Sequence, residues 1–178
     1  MPESAHVRRL SPREAQDAVP ALSAILMDCV AGGASVGFMA PLAPARAEAF
    51  WRRVAEGVAA GERILLVAEE PATGAVLGTV QVILAQPENQ PHRADIAKML
   101  VHRRGRRQGL GTALMRAAEG EALAAGKTLL VLDTASDDAE RVYARLGWVR
   151  VGAVPGFALL PDGRPCDTVF YYKTLTAG

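Results

Sequence analysis

The chain has 178 residues, of which 50% are hydrophobic and 22% are charged. This composition is typical of a single globular domain, here spanning 1–178, and excludes a disordered, collagen-like or coiled-coil chain. The 20 Lys and Arg residues against 19 Asp and Glu residues leave a formal net charge of +1, which gives no general attraction to nucleic acid or to an anionic membrane.

The first expectations about cellular location and metal binding come from the cysteines, the histidines and the apolar runs. Cys29 and Cys166 are far apart, which favours a reducing compartment over a disulfide scaffold and leaves room for one bridge. The three histidines are scattered and form no zinc-binding pattern. We see neither a transmembrane run of ~18 apolar residues nor a secretory signal. We therefore expect a cytoplasmic protein with no metal and no membrane partner.

The predicted elements begin with a strand over 6–10 and a long N-terminal helix. Ser11-Pro12-Arg13-Glu14 has the pattern of a capping box, in which a Ser side chain and a Glu side chain each bind the other's backbone N–H. Apolar residues then recur at helical spacing over 22–30. Pro20 should kink or split this helix, because proline lacks an N–H and clashes with the preceding turn.

The other elements are predicted from apolar runs bounded by Gly, Pro or charged turns. They are a helix over 43–60, strands over 63–70, 75–85 and 95–101, a helix from about 110 to 125, a strand over 128–133, a short helix from 136 or 137 to 146, and strands over 148–157 and 168–174. This order predicts an α/β (α+β) fold with a mixed central sheet of six to seven strands and helices on both faces.

A basic, glycine-rich turn over 102–109 is the most informative segment, because it joins a strand to a helix. The first turn of a helix presents free N–H groups and the positive end of the helix dipole, so this turn can hold a phosphate. The Walker pattern fails because no Lys precedes Thr112, and the spacing of Gly109 and Gly111 does not fit the dinucleotide fingerprint.

The pattern Arg106-x-x-Gly109-x-Gly111, after a strand that ends at Val101, resembles the signature of the GNAT family of N-acetyltransferases. Downstream, the segment 139–148, AERVYARLGW, is similar to that family's Ala-x-x-x-Tyr-x-x-x-Gly-Phe segment. The order of elements also resembles the family's fold over the whole chain. The resemblance implies an acyltransferase that takes its acetyl group from acetyl-CoA and needs no metal.

Four further segments, 32–39, 131–134, 154–157 and 161–164, resemble the tabtoxin-resistance acetyltransferases, a subgroup that acetylates a β-lactam amino-acid toxin. This resemblance implies that the acceptor is a primary amine of a small molecule, with a toxin or antibiotic-like amino acid of the tabtoxinine-β-lactam type as the first candidate.

The resemblance also implies which residues bind acetyl-CoA. The main chain at the end of the strand would hold the pantetheine arm and the acetyl oxygen, with the Val101 N–H as oxyanion donor. Ser136 stands where many relatives have an Asn that contacts the cofactor, so a hydroxyl must replace an amide there. The implied cofactor-binding residues are Met99, Leu100, Val101, Arg106, Arg107, Gln108, Gly109, Leu110, Gly111, Thr112, Ser136 and Tyr143. Because arginine favours phosphate groups, we also expect at least one of Arg103, Arg104, Arg106 and Arg107 to contact the phosphates.

Tyr143 matches the family's general acid. A phenol of pKa ~10 can protonate a departing thiolate whose conjugate acid has a pKa near ~8.5. The base is open between Asp95, Asp133 and a water chain. Asp95 is preferred by a small margin, because strand alternation would place it on the same face as Val101. Asp133 ends a strand at the edge where α/β sheets bind ligands. Each Asp also fits a cap or turn.

The loop over 32–39 is the expected wall of the acceptor site, with Gly33, Phe38 and Met39 as substrate contacts beside Asp95 and Asp133. Two other functions stay open: a non-catalytic acyl-CoA-binding or regulatory module, and an acetyltransferase acting on a peptide or protein amine. A nucleic-acid module is disfavoured by the net charge of +1 and by an aromatic content of 5%. A monomer and a homodimer are both compatible with the sequence.

Overall fold

A computed structural model describes residues 6–177 as one mixed sheet with helices on both faces, as the sequence predicts. The strands are β1 (His6–Arg9), β2 (Arg63–Glu69), β3 (Val76–Ile83), β4 (Arg93–Val101), β5 (Leu129–Thr134), β6 (Val149–Leu159) and β7 (Pro165–Thr174). The helices are α1 (Pro12–Asp17), α2 (Val19–Ala31), α3 (Pro44–Ala59), α4 (Leu110–Ala124) and α5 (Asp137–Arg145), with a short 3-10 helix at Arg103–Gly105.

The seven strands lie in the order β1-β2-β3-β4-β5-β7-β6. Neighbours are antiparallel except for β4 and β5, which are parallel and are connected through α4. The parallel pair is at the centre of the sheet, where the carboxyl ends of two strands meet at one edge. Such an edge is where ligands bind in α/β sheets.

The capping box and the effect of Pro20 are both confirmed. The Ser11 hydroxyl accepts a hydrogen bond from the Glu14 N–H at 3.3 Å, and the Glu14 carboxylate accepts one from the Ser11 N–H at 2.8 Å. The helix ends at Asp17 and α2 starts at Val19, so Pro20 lies in the first turn of a new helix, where its missing N–H needs no partner. The expected long helix is therefore two helices.

Two hydrophobic clusters cover the two faces of the sheet. One lies beneath α4 and α5 and includes Leu114 and Leu130, whereas the other lies beneath α1–α3 and includes Leu26 and Trp51. Within the described part of the chain, none of the helices is both long enough and apolar enough to cross a membrane.

Candidate active site

The parallel strands β4 and β5 are paired only at their beginnings. Their register runs from Arg93–Leu129 to Asp95–Val131, and in the described residues no pair follows before the strands end at Val101 and Thr134. The two strands therefore separate toward their carboxyl ends. This separation leaves a gap in the sheet with main-chain groups available to a ligand.

Val101 directs its main chain into this gap. The N–H of the next residue, His102, donates to the Leu77 carbonyl oxygen at 2.8 Å, and successive residues of a strand point their main-chain groups to opposite sides. Val101 therefore faces away from β3, as its predicted role requires. Leu100 faces Thr79 of β3, so the register does not support the predicted main-chain role of Leu100 in cofactor binding.

A β-bulge changes which face the side chains of β4 occupy. Thr79 pairs with Leu100 whereas Gln81 pairs with Ala97, so two residues of β4 stand opposite Val80. One of them, Lys98, has φ +50°. Ala94 and Ile96 before the bulge pack beneath α4 and α5, as do Met99 and Val101 after it. Asp95 therefore does not share a face with Val101: the expectation from simple alternation is wrong, because the extra residue inverts the alternation.

The basic turn folds into a short 3-10 helix and then into α4. The His102 Nδ1 accepts from the Arg104 N–H at 3.2 Å and caps the 3-10 helix. Arg107 and Gly109 have φ +62° and +76°, and this reversal starts α4 at Leu110 without a side-chain cap. A Cβ placed on Gly109 would meet no atom within 4 Å, so open space lies beside the uncapped N–H groups. This arrangement fits the pyrophosphate of a coenzyme.

The four arginines of the turn differ in what they contact. Arg103 donates from its backbone and its side chain to Asp28, both at 2.9 Å, so its side chain is held against α2. The Arg106 Nε lies 3.4 Å from the Val101 carbonyl oxygen, beside the gap. Arg104 and Arg107 are exposed to solvent, and Gln108 donates to the Arg104 carbonyl oxygen at 3.1 Å.

Tyr143 is buried on α5. Its ring packs against the Trp148 ring at 6.0 Å and the Tyr171 ring at 5.7 Å between centroids. Burial raises the pKa of Tyr143 well above its ordinary value, and the nearby charge of Asp133 adds to the rise, followed by Tyr171. The hydroxyl therefore stays protonated at neutral pH and can only donate a proton.

Ser136 is the N-cap of α5. Its hydroxyl oxygen accepts from the Ala139 N–H at 3.3 Å, which confirms that a cap begins this helix. The same contact engages the oxygen that was expected to meet the cofactor. The hydroxyl hydrogen and one lone pair of Ser136 are left for a ligand.

The two candidate carboxylates have different surroundings. Asp95 forms an ion pair with Arg93 and accepts from the Gln86 amide at 3.1 Å, where β4 and β5 begin to separate. Asp133 is exposed near the end of β5 and accepts from the Thr168 hydroxyl at 3.0 Å. Its charge acts on Tyr143, whereas Asp95 is held at the closed end of the gap.

The loop over 32–39 meets the turn between β6 and β7. The Ala40 N–H donates to the Pro161 carbonyl oxygen at 3.0 Å, and a cavity of about 270 Å³ is lined by both segments, Gly33 included. Phe38 is half-buried and packs edge-to-face on Phe50 with 5.4 Å between centroids. Met39 is 42% exposed.

Lys98 is not among the site residues that the sequence predicts. This residue lies in the bulge with its Nζ 5.8 Å from the centre of the Phe50 ring, on the side of the sheet that carries α2 and α3. Burial lowers the pKa of Lys98, and the charge of Asp133 opposes that change. A signal was present, because a lysine stands among apolar residues in the centre of a strand.

Comparisons with known proteins give consistent results. A model of the acetyltransferase (GNAT) family matches residues 26–148. An N-acetyltransferase from Staphylococcus aureus Mu50 is similar in structure, with TM-score 0.80, 19% identity and coverage of 98% of this chain and 100% of the other. A phosphinothricin acetyltransferase from Sinorhizobium meliloti, in complex with acetyl-CoA, has TM-score 0.79, 19% identity and coverage of 98% and 90%.

A third similar structure is that of a Salmonella typhimurium protein described as an acetyltransferase and solved with its cofactor acetyl-CoA. It has TM-score 0.78, 20% identity and coverage of 99% of this chain and 96% of the other. At these identities the structures establish the fold.

Proposed function

The chain belongs to the acetyltransferase (GNAT) family and is an N-acetyltransferase, and from this premise we propose that it transfers an acetyl group from acetyl-CoA to a primary amine of a small molecule. The observation that carries the proposal is the gap between β4 and β5, where among the described residues the main chain of Val101 has no partner on β5. Two similar structures, at low identity, contain acetyl-CoA.

The cofactor would lie along the separated edge of β4 and across the start of α4. Main-chain N–H groups of the first turn of α4, which begins at Leu110, would bind its pyrophosphate. Exposed Arg107 adds positive charge beside them. When bound, acetyl-CoA supplies the acetyl group as an activated thioester.

The residues of the gap divide the chemistry between them. The Val101 N–H would donate to the carbonyl oxygen and stabilise the negative charge that forms there as the amine attacks. Tyr143 would give its proton to the departing thiolate, so that coenzyme A leaves as a thiol when the carbon–sulfur bond breaks. The ammonium proton of the acceptor leaves to Asp133 or through water to solvent, and Tyr143 is then reprotonated.

Asp133 replaces Asp95 as our preferred acceptor-side carboxylate. Asp133 is exposed at the open end of the gap and its charge acts on Tyr143. Asp95 is instead engaged by Arg93 and by Gln86. A carboxylate that binds the substrate ammonium keeps the amine beside the acetyl group and can receive its proton.

The test is release of coenzyme A thiol from acetyl-CoA with a panel of amines: a tabtoxinine-type β-lactam amino acid, phosphinothricin, lysine, polyamines, aminoglycosides and short peptides. Turnover with the toxin-like amino acids alone would support an enzyme that inactivates an antibiotic-like amino acid. Turnover with peptides alone would replace the small-molecule acceptor. Acetyl-CoA binding with no turnover on any amine would favour the non-catalytic module.

A further inference from the structure

The bulge of β4 places a lysine in a backbone conformation that residues with a side chain rarely adopt. Lys98 has φ +50°, and outside turns this region is occupied chiefly by Gly, Asn and Asp. Such strain persists where the surrounding structure enforces it, often at functional sites. The bulge sits between the start of the gap at Asp95 and the oxyanion donor Val101.

The bulge directs the ammonium group toward the acceptor wall. The Lys98 Nζ lies 5.8 Å from the centre of the Phe50 ring, and a Cβ built on Gly37 would be 3.8 Å from it. Phe50 in turn packs on Phe38 of the loop. The positive charge is therefore held beneath the loop over 32–39 and is not extended into bulk solvent.

The three lysines of the chain differ in their polar partners. The Lys127 Nζ donates to the Leu84 and Pro91 carbonyl oxygens at 3.1 and 2.8 Å. The Lys173 Nζ donates to Glu119 and to the Leu146 carbonyl oxygen at 2.7 and 2.6 Å. Among residues 6–177, no hydrogen bond or ion pair engages the Lys98 Nζ. Its three N–H donors are free, because the contact with Phe50 uses the charge of the ammonium and none of its donors.

Lys98 and Asp133 present opposite charges to the same side of the sheet. Asp133 lies near the end of β5, across the gap. It is on the face opposite Leu132, and Leu132 packs beneath α4 and α5. We propose that Lys98 binds a carboxylate of the acceptor, so that the enzyme selects amines that also carry a carboxylate, namely amino acids. Asp133 would hold the ammonium of the same molecule. This inference rests on the proposed function and narrows its substrate class.

The first test compares amino acids with their primary amides as acceptors, for example methionine with methioninamide. For the wild-type enzyme we expect a higher kcat/KM with the acid. Lys98→Met should lower kcat/KM for the acid by about 10–100-fold, mainly through KM, and change the amide little, because one charge-assisted contact is lost. Lys98→Arg should restore part of the preference.

The control is Arg46→Met, which removes another cation from the same region. Arg46 is exposed and lies 5.9 Å from the centre of the Phe38 ring, so its loss should affect acid and amide alike. If Lys98→Met lowers kcat/KM equally for the acid and the amide, the proposal is overturned, because a purely structural role of Lys98 would affect both acceptors. Equal kcat/KM values for methionine and methioninamide with the wild-type enzyme would overturn the proposal as well.

A binding measurement separates this inference from the proposed function. In protein labelled with 13C-lysine, the Lys98 signal is assigned by its disappearance in Lys98→Arg. With coenzyme A present, methionine should shift the Lys98 signal saturably and methioninamide should not, while the Lys127 and Lys173 signals stay in place. No shift of Lys98 with methionine or phosphinothricin contradicts the inference, whereas a shift without acetyl transfer to any amine contradicts only the proposed function.

Discussion

At the scale of single residues, the proposed role of Tyr143 as general acid depends on its hydroxyl group. Tyr143→Phe keeps the ring packing on Trp148 and Tyr171 and removes only the hydroxyl. We expect kcat to fall by about 10²–10⁴-fold, the usual contribution of a general acid, with the affinity for acetyl-CoA nearly unchanged. Steady-state kinetics and calorimetric titration measure the two quantities. A variant with wild-type kcat would remove Tyr143 from the mechanism.

The charge of Asp133, at the open end of the gap, contributes to the raised pKa of Tyr143. Because the protonated form of Tyr143 is the active one and its pKa is raised, the rate should increase with pH as the amine loses its proton, with no fall below about pH 10. Asp133→Asn removes one cause of the raised pKa, so any alkaline fall should move to lower pH, and the KM for the amine should increase.

Profiles of kcat/KM against pH test this expectation for Asp133. The matched variant is Asp138→Asn, on the exposed surface of α5, which removes the same charge and should leave both the profile and the KM unchanged. If Asp133→Asn behaves like Asp138→Asn, Asp133 has no role at the acceptor.

At the scale of elements, the reversal at Gly109 determines where α4 begins. Gly109→Glu imposes a side chain on φ +76° and puts a negative charge beside the helix N-terminus, where the cofactor phosphate is expected. We expect the affinity for acetyl-CoA to be lost while the protein stays folded, at a cost of about 1 kcal/mol in unfolding free energy. Calorimetry and circular dichroism measure the two effects.

The same helix supplies the control for Gly109. Gly120 has open space around its Cα and an ordinary helical φ, so Gly120→Glu adds the same charge without strain and away from the loop. That variant should bind acetyl-CoA like the wild type. Retained binding in Gly109→Glu would show that the phosphate lies elsewhere.

At the scale of the whole molecule, Glu119 holds three parts of the fold together. From α4 its carboxylate accepts from the Trp148 indole N–H at 2.8 Å and from the Lys173 ammonium at 2.7 Å. Glu119→Ala should lower the unfolding free energy by about 2 kcal/mol, since the two donors lose a charged acceptor. The midpoint of thermal unfolding should then fall by about 4–8 °C.

The comparison for Glu119 is Glu121→Ala, two residues along the same helix in a more exposed pair with Arg9. An exposed ion pair contributes about 0–1 kcal/mol, so its loss should move the unfolding midpoint little. Differential scanning calorimetry of both variants measures the contrast. Equal midpoints would mean that the Glu119 contacts do not contribute to stability.

The fold could be predicted because its signals are local. The capping box at Ser11 and the restriction imposed by Pro20 act within one helical turn, and both take effect as expected. The bulge at Lys98 could not be predicted in this way. It depends on the register of β4 against β3, which no short pattern encodes. That single extra residue is why the prediction that Asp95 and Val101 share a face was wrong.

For the site, as for the fold, what could be predicted from the sequence was what short local patterns encode. The motif around Gly109 and Tyr143 indicated the family, and the family model confirms it. The contact that engages Arg103 was not predictable, because Asp28 lies 75 residues away on α2. The individual roles of Val101, Asp133 and Tyr143 stay predictions that the variants above are designed to test.

The two walls of the cavity that we propose for the acceptor have a consequence for how this enzyme can diversify. Both walls are connecting segments, the loop over 32–39 and the turn that includes Pro161, and the second lies outside the residues that the family model matches. Mutations in these two segments leave the hydrogen bonds between the strands intact, so they lower the free energy of unfolding only slightly. Selection can therefore alter which amine is accepted while the machinery of acetyl transfer stays constant.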